Sequence, residues 1–164
     1  MELFLSKSPE ETAQVAATVA STLKRNDVVA LIGELGSGKT QFVKGVCRFF
    51  EVHDLVSSPT FVMLHRYEGR DRSHKEILLY HFDLYKIKSP SDVLELGYEE
   101  FFRGNGICLI EWADMLDTLM PRNRIEIHFS PGAHDQERRI EIARFLPEHG
   151  DRAVQKAAMK GTSR

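Results

Sequence analysis

Residues 27–50 read DVVALIGELGSGKTQFVKGVCRFF: a short apolar run, a glycine-rich turn, a lysine and a threonine, then apolar residues at helical spacing. Gly33, Gly38, Lys39 and Thr40 satisfy G-x-x-x-x-G-K-[ST], with Gly36 inside the turn. The flanks matter as much as the motif. The apolar residues from Val28 to Ile32 suit a strand buried on both faces of a parallel sheet. Phe42, Val46, Phe49 and Phe50 recur at i, i+4, i+7 and i+8, which is one face of a helix. A strand, a glycine turn and a helix in that order make a cradle for phosphate. Glycines reach the dihedrals that point backbone N–H groups inward, and the helix N-terminus adds unpaired amides and a favourable dipole. Nucleotide binding is therefore expected at Gly33, Gly36, Ser37, Gly38, Lys39, Thr40 and Gln41. Lys39 would reach the β- and γ-phosphates, and the Thr40 hydroxyl would ligate Mg²⁺.

The rest of the chain must supply a fold around that loop. At 164 residues it suits one domain with a sizeable core. A net charge of −2 argues against a broad nucleic-acid surface. MELFLSK has neither the composition of a signal peptide nor the length of a membrane span, so a cytoplasmic protein with no membrane association is expected. Cys47 and Cys108 sit in apolar segments without C-x-x-C spacing and read as small buried hydrophobes.

A first strand is expected over residues 1–5. Ser8-Pro9-Glu10-Glu11 is a capping serine, a proline at the first helical position and a glutamate three residues after the cap, so a helix starts there and runs until Lys24. Thr12, in its first turn, either approaches a nucleotide or is an ordinary exposed threonine. Ser57-Ser58-Pro59-Thr60 is turn chemistry leading to a strand over residues 61–67. Two readings fit it equally: a switch-like loop of Ser58, Pro59 and Thr60 sensing the γ-phosphate, or a generic connection. Residues 68–75 read as a charged turn, residues 77–85 as a strand, and residues 90–103 as one helix with Gly97 inside it. Residues 107–111 form a further strand. Residues 124–129 and 138–143 alternate as a hairpin pair of edge strands. Residues 147–164 read as a polar, basic tail, separate from a domain over residues 1–146.

Two acids close the site in this reading. Asp83 lies near the end of an apolar strand, where ligands collect in open α/β sheets, and a carboxylate there can hold Mg²⁺ directly or through water. Glu111 follows four apolar residues, the pattern of a second magnesium strand, and would bind a magnesium-bound water or orient the attacking one. His81 has no metal-like partner at i+2 or i+4 and reads as packed or hydrogen-bonded. Trp112 is by default a core or rim aromatic. Arg138 and Arg139 either approach the nucleotide, Arg139 being the candidate contact, or end a solvated strand.

GELGSGKT, SSPTF, YHFDLYK, ELGYEEFF and LIEWAD, in that order, resemble the TsaE (YjeE) family. The phosphate loop alone is shared widely; HFDLY and IEW together are more specific. The resemblance spans roughly residues 8–142. It implies a single-domain α/β sandwich of the P-loop NTPase kind, with a mixed, mostly parallel central sheet flanked by helices and antiparallel strands near the C-terminus. It also implies ATP or ADP and Mg²⁺ as ligands, with Thr40, Asp83 and Glu111 as the metal residues. The partners implied are TsaD and TsaB type proteins, with tRNA engaged through the complex. Where the family often has arginine after HFDLY, this chain has Lys86, which keeps the charge and loses the bidentate fork. Lys86 and Trp112 are candidate partner or phosphate contacts.

The function expected from sequence is a Mg²⁺-dependent ATPase, with Lys39 and Glu111 catalytic, slow alone and stimulated by partners, supporting formation of threonylcarbamoyladenosine in tRNA. A small-molecule kinase and a nucleotide-gated binding protein without turnover remain as alternatives. A kinase would need an arginine-rich lid, for which Gly69-Arg70-Asp71-Arg72 is the candidate.

Overall fold

The computed structural model describes residues 1–60, 63–95 and 97–145. The tail expected over residues 147–164 lies outside the described residues, as do Phe61, Val62 and Leu96. In chain order the elements are β1 (Glu2–Ser6), α1 (Pro9–Ala20), β2 (Val28–Ile32), α2 (Lys39–Phe49), β3 (Leu64–Arg70), β4 (Glu76–Asp83), α3 (Pro90–Glu95), α4 (Tyr98–Phe102), β5 (Gly106–Glu111), a 3-10 segment (Ala113–Leu119), β6 (Arg124–Pro131) and β7 (Arg138–Phe145). The strands form one sheet in the order β1-β7-β6-β2-β5-β4-β3. The four central strands β6, β2, β5 and β4 are parallel, and antiparallel pairs close both sides. This is the mixed sheet expected from the sequence.

The parallel centre follows from composition: β2 and β5 are apolar at nearly every position and buried on both faces. Helices α1 and α2 cover one face, where Phe42, Val43 and Val46 are fully buried. A Cβ on Gly45 would come 2.6 Å from Ala16 Cβ, so glycine lets α1 and α2 approach closely. The shorter α3, α4 and the 3-10 segment cover the other face over β2, β4 and β5.

Four expectations are corrected. The segment 90–103 is two short helices, because Gly97 takes φ +65° and breaks the run. The β6–β7 hairpin forms but is not at an edge: β6 pairs with β2, β7 pairs with β1, and β1 and β3 are the edges. The strand expected over 61–67 runs instead over Leu64–Arg70, so the turn shrinks to Asp71–Lys75, where Asp71 accepts from the amides of Ser73 and Lys75. Glu68 and Arg70, expected in the turn, are instead exposed positions of the edge strand β3. Helix α1 stops at Ala20, as the hydroxyls of Ser21 and Thr22 donate to the carbonyls of Thr18 and Val19.

Candidate functional site

The site forms at the carboxyl ends of β2, β4 and β5. Asp83 and Glu111 are register partners on adjacent parallel strands, and Leu31 on β2 pairs with Glu111 on its other side. One residue past β2 the chain turns through the glycine loop. A Cβ on Gly33 would lie 2.8 Å from the Phe129 carbonyl oxygen, so that position has no room for a side chain. Gly38 precedes α2 at φ +106° with no side chain capping the helix, which leaves the first amides of α2 unsatisfied by a cap.

The polar groups converge on a cleft of about 470 Å³. Lys39 is buried, with Nζ donating to the carbonyls of Gly33 (2.7 Å) and Glu34 (2.9 Å) and lying 4.0 Å over the Trp112 ring. Burial pushes its ammonium below the ordinary lysine value, opposed by the charges of Glu111, Asp83, Asp114 and Glu34. The Thr40 hydroxyl is 2.9 Å from both oxygens of Glu111. Glu111 Oε1 is also 2.8 Å from His81 Nε2. Asp83 Oδ2 accepts from Ser58 and from Thr60 (2.7 Å), while Oδ1 accepts from the Tyr85 amide at 2.9 Å. That last bond turns the chain, which is why β4 ends at Asp83 and not at Tyr85.

Gly36, Ser37, Gly38, Lys39, Thr40 and Gln41 thus line one cleft, and Ser58, Thr60, Asp83, Glu111 and Trp112 line it with them. Gly33 and Pro59 are not among its lining residues. Lys86 is exposed beyond the lining. Thr12 is buried rather than exposed, 2.8 Å from Ser6 Oγ, and lines a second cleft of about 170 Å³ that shares Gly36, Gly38 and Gln41 with the first. Arg138 lines that smaller cleft; Arg139 does not, and bonds Glu141 at 2.8 Å. Strand alternation places them on opposite sides of β7. Arg138 shares the α1 side of β7 with Ile140 and Ile142, and Arg139 faces the other way with Glu141. Tyr85 was missed by sequence reasoning: it lines the main cleft and its ring centroid is 5.0 Å from that of Trp112. Its signal is its place two residues after Asp83. The arginine-rich stretch proposed as a lid lies on β3 and its turn, with Arg72 5.1 Å over Phe49.

The donor set suits Mg²⁺. Thr40, Asp83 and Glu111 offer oxygen only, and no group of three His, Cys, Asp or Glu side chains poised for a metal occurs among the described residues. Magnesium is commonly held that way, by one or two carboxylates with waters and substrate phosphates completing the shell.

Fold and site together define a class: an α/β protein whose glycine-rich strand–turn–helix opens at the carboxyl ends of parallel strands beside two acids. The chain belongs to the TsaE family, described as threonylcarbamoyl adenosine biosynthesis protein TsaE, which matches residues 6–140. A relative from Bacillus subtilis (strain 168), tRNA threonylcarbamoyladenosine biosynthesis protein TsaE, is 38% identical over 133 residues, covering 81% of this chain and 79% of its own. A relative of the same name from Treponema pallidum (strain Nichols) is 34% identical over 139 residues, covering 85% and 98%. The crystal structure of Bacillus subtilis YdiB is similar with a TM-score of 0.73 at 31% identity, covering 96% of this chain and 92% of that one.

Proposed function

We propose that this chain is a Mg²⁺-dependent ATPase of the cytoplasm that supports threonylcarbamoyladenosine formation in tRNA, slow alone and stimulated by TsaB and TsaD type partners, with tRNA reached through their complex. The observation that carries the reading is the convergence of Lys39, Thr40, Asp83 and Glu111 in one cleft at the uncapped start of α2. The names of the relatives support the pathway.

In this reading the amides from Gly36 to Gln41 hold the phosphates of ATP or ADP, and Lys39 exchanges its two carbonyl partners for the β- and γ-phosphates. Thr40, Asp83 and Glu111 would hold Mg²⁺, which when bound draws off charge that develops on the phosphate oxygens. Glu111 orients the water that becomes part of the released phosphate. Ser58 and Thr60, already bonded to Asp83, are placed to respond to the γ-phosphate. Low intrinsic turnover fits a main cleft with no arginine among its described lining residues. An arginine supplied in trans raises such rates by roughly 10³–10⁵.

The test is phosphate release and nucleotide binding in two variants. Lys39→Ala should lose both, whereas Glu111→Ala should bind ATP and release little phosphate. Normal hydrolysis by Glu111→Ala would remove that residue from its role, and binding without any turnover in the complete partner assembly would favour a nucleotide-gated binding protein.

A further inference from the structure

His81 is a buried ring that the proposed function leaves without a part. It lies on β4, fully enclosed, with Nε2 2.8 Å from Glu111 Oε1. Its other nitrogen, Nδ1, is buried and has no hydrogen-bond partner among the described residues. Packing alone is a poor reason for imidazole here, since an apolar side chain of similar size would fill the space without an orphaned nitrogen. The orphan fixes the tautomer. A proton on Nδ1 would be buried with nothing to accept it, so the proton belongs on Nε2, where Glu111 accepts it.

Glu111 is a buried carboxylate sharing a cleft with a buried ammonium. Among the charges acting on Lys39, that of Glu111 is the strongest. The two nonetheless have separate partners: Lys39 bonds the Gly33 and Glu34 carbonyls, and Glu111 bonds Thr40 and His81. Thr40 follows Lys39 in the first turn of α2, so its hydroxyl draws Glu111 toward the same helix end and cannot by itself hold the carboxylate back. His81 can, because its ring is locked inside the sheet beside Tyr67, ring centroids 6.3 Å apart.

We propose that His81 is a positioning residue whose Nε2–H holds the Glu111 carboxylate at Thr40 and keeps it from collapsing onto Lys39, so that the phosphate loop stays open to an anion. The proposal rests on the hydrolytic reading for its kinetic arm only. Glutamine places an amide nitrogen near the position of Nε2, asparagine near that of Nδ1, and leucine supplies neither. In His81→Leu and His81→Asn, ADP affinity measured in EDTA and the turnover number should both fall, by about 10–100-fold on the scale typical of such outer partners. His81→Gln should stay within about threefold of the parent. Ring ¹⁵N spectra of the nucleotide-free parent should show the His81 proton on Nε2, with that signal moving in Glu111→Gln. A proton on Nδ1, equal behaviour of the asparagine and glutamine variants, or unchanged ADP affinity in the leucine variant would each overturn the proposal. Should the parent bind ADP but hydrolyse nothing, the hydrolytic reading fails while the spectra and the affinities still judge His81.

Discussion

The two faces of the sheet are built differently. Beneath α1 and α2 the buried cluster draws on six of the seven strands, and α2 alone contributes Phe42, Val43, Val46 and Cys47. Among the described residues, the buried strand positions of the opposite face come from β2, β4 and β5, under helices of six and five residues that bury Val93 and Tyr98 and a 3-10 segment that buries Ala113 and Leu116. Much of its apolar surface, including Trp112 and Met115, is only partly buried. The contrast teaches where rigidity sits. Helix α2, which presents Lys39 and Thr40, is anchored in the better-packed face. The segments around Asp83 and Trp112 belong to the looser one, and loosely packed elements open at lower free energy than the core.

The largest break in that comparison should come from Phe42→Ala. Phe42 is fully buried, edge-on to Phe129 at 5.8 Å between ring centroids. Its loss should lower global stability by about 3–5 kcal/mol in urea unfolding. A cost below about 1 kcal/mol would mean that the anchored face is not the stability core. Gly97→Ala probes the other face. A Cβ there meets nothing, so its cost comes only from the left-handed backbone, about 1–2 kcal/mol. A larger loss would show that the break between α3 and α4 is held by packing.

The smallest effect sharpens the comparison through the two thiols. Burial pushes both Cys47 and Cys108 up to about 12, and they lie under opposite faces. At pH 8 neither should react with a thiol reagent in the closed protein, so labelling reports opening, and Cys108 should label faster than Cys47. Equal rates would remove the distinction between the faces. The linkage has a definite sign: above pH 9 the unfolded thiols ionise while the native ones keep their protons to about 12, so stability should fall as pH rises through that window. Stability that rises there would contradict it.

The glycine loop, the central strands and the two strand-end acids were legible in the sequence because each depends on neighbours a few residues away. What was not legible depends on distant pairing or on backbone sign. Nothing local to residues 124–145 says that β1 will cover their outer edge. Gly97 reads as a tolerated helical glycine until its positive φ is known. That Arg138 and not Arg139 lines the smaller cleft follows once Ile140 and Ile142 are known to face α1. His81 reads as packed or hydrogen-bonded, and only the register between β4 and β5 shows its partner to be Glu111.

The most direct test of the account is phosphate release from ATP and Mg²⁺ by the purified chain, measured alone and then with TsaB, TsaD and tRNA. Slow release alone and marked stimulation by the partners is the expected result. Fast turnover that ignores the partners, or none even in their presence, would contradict it.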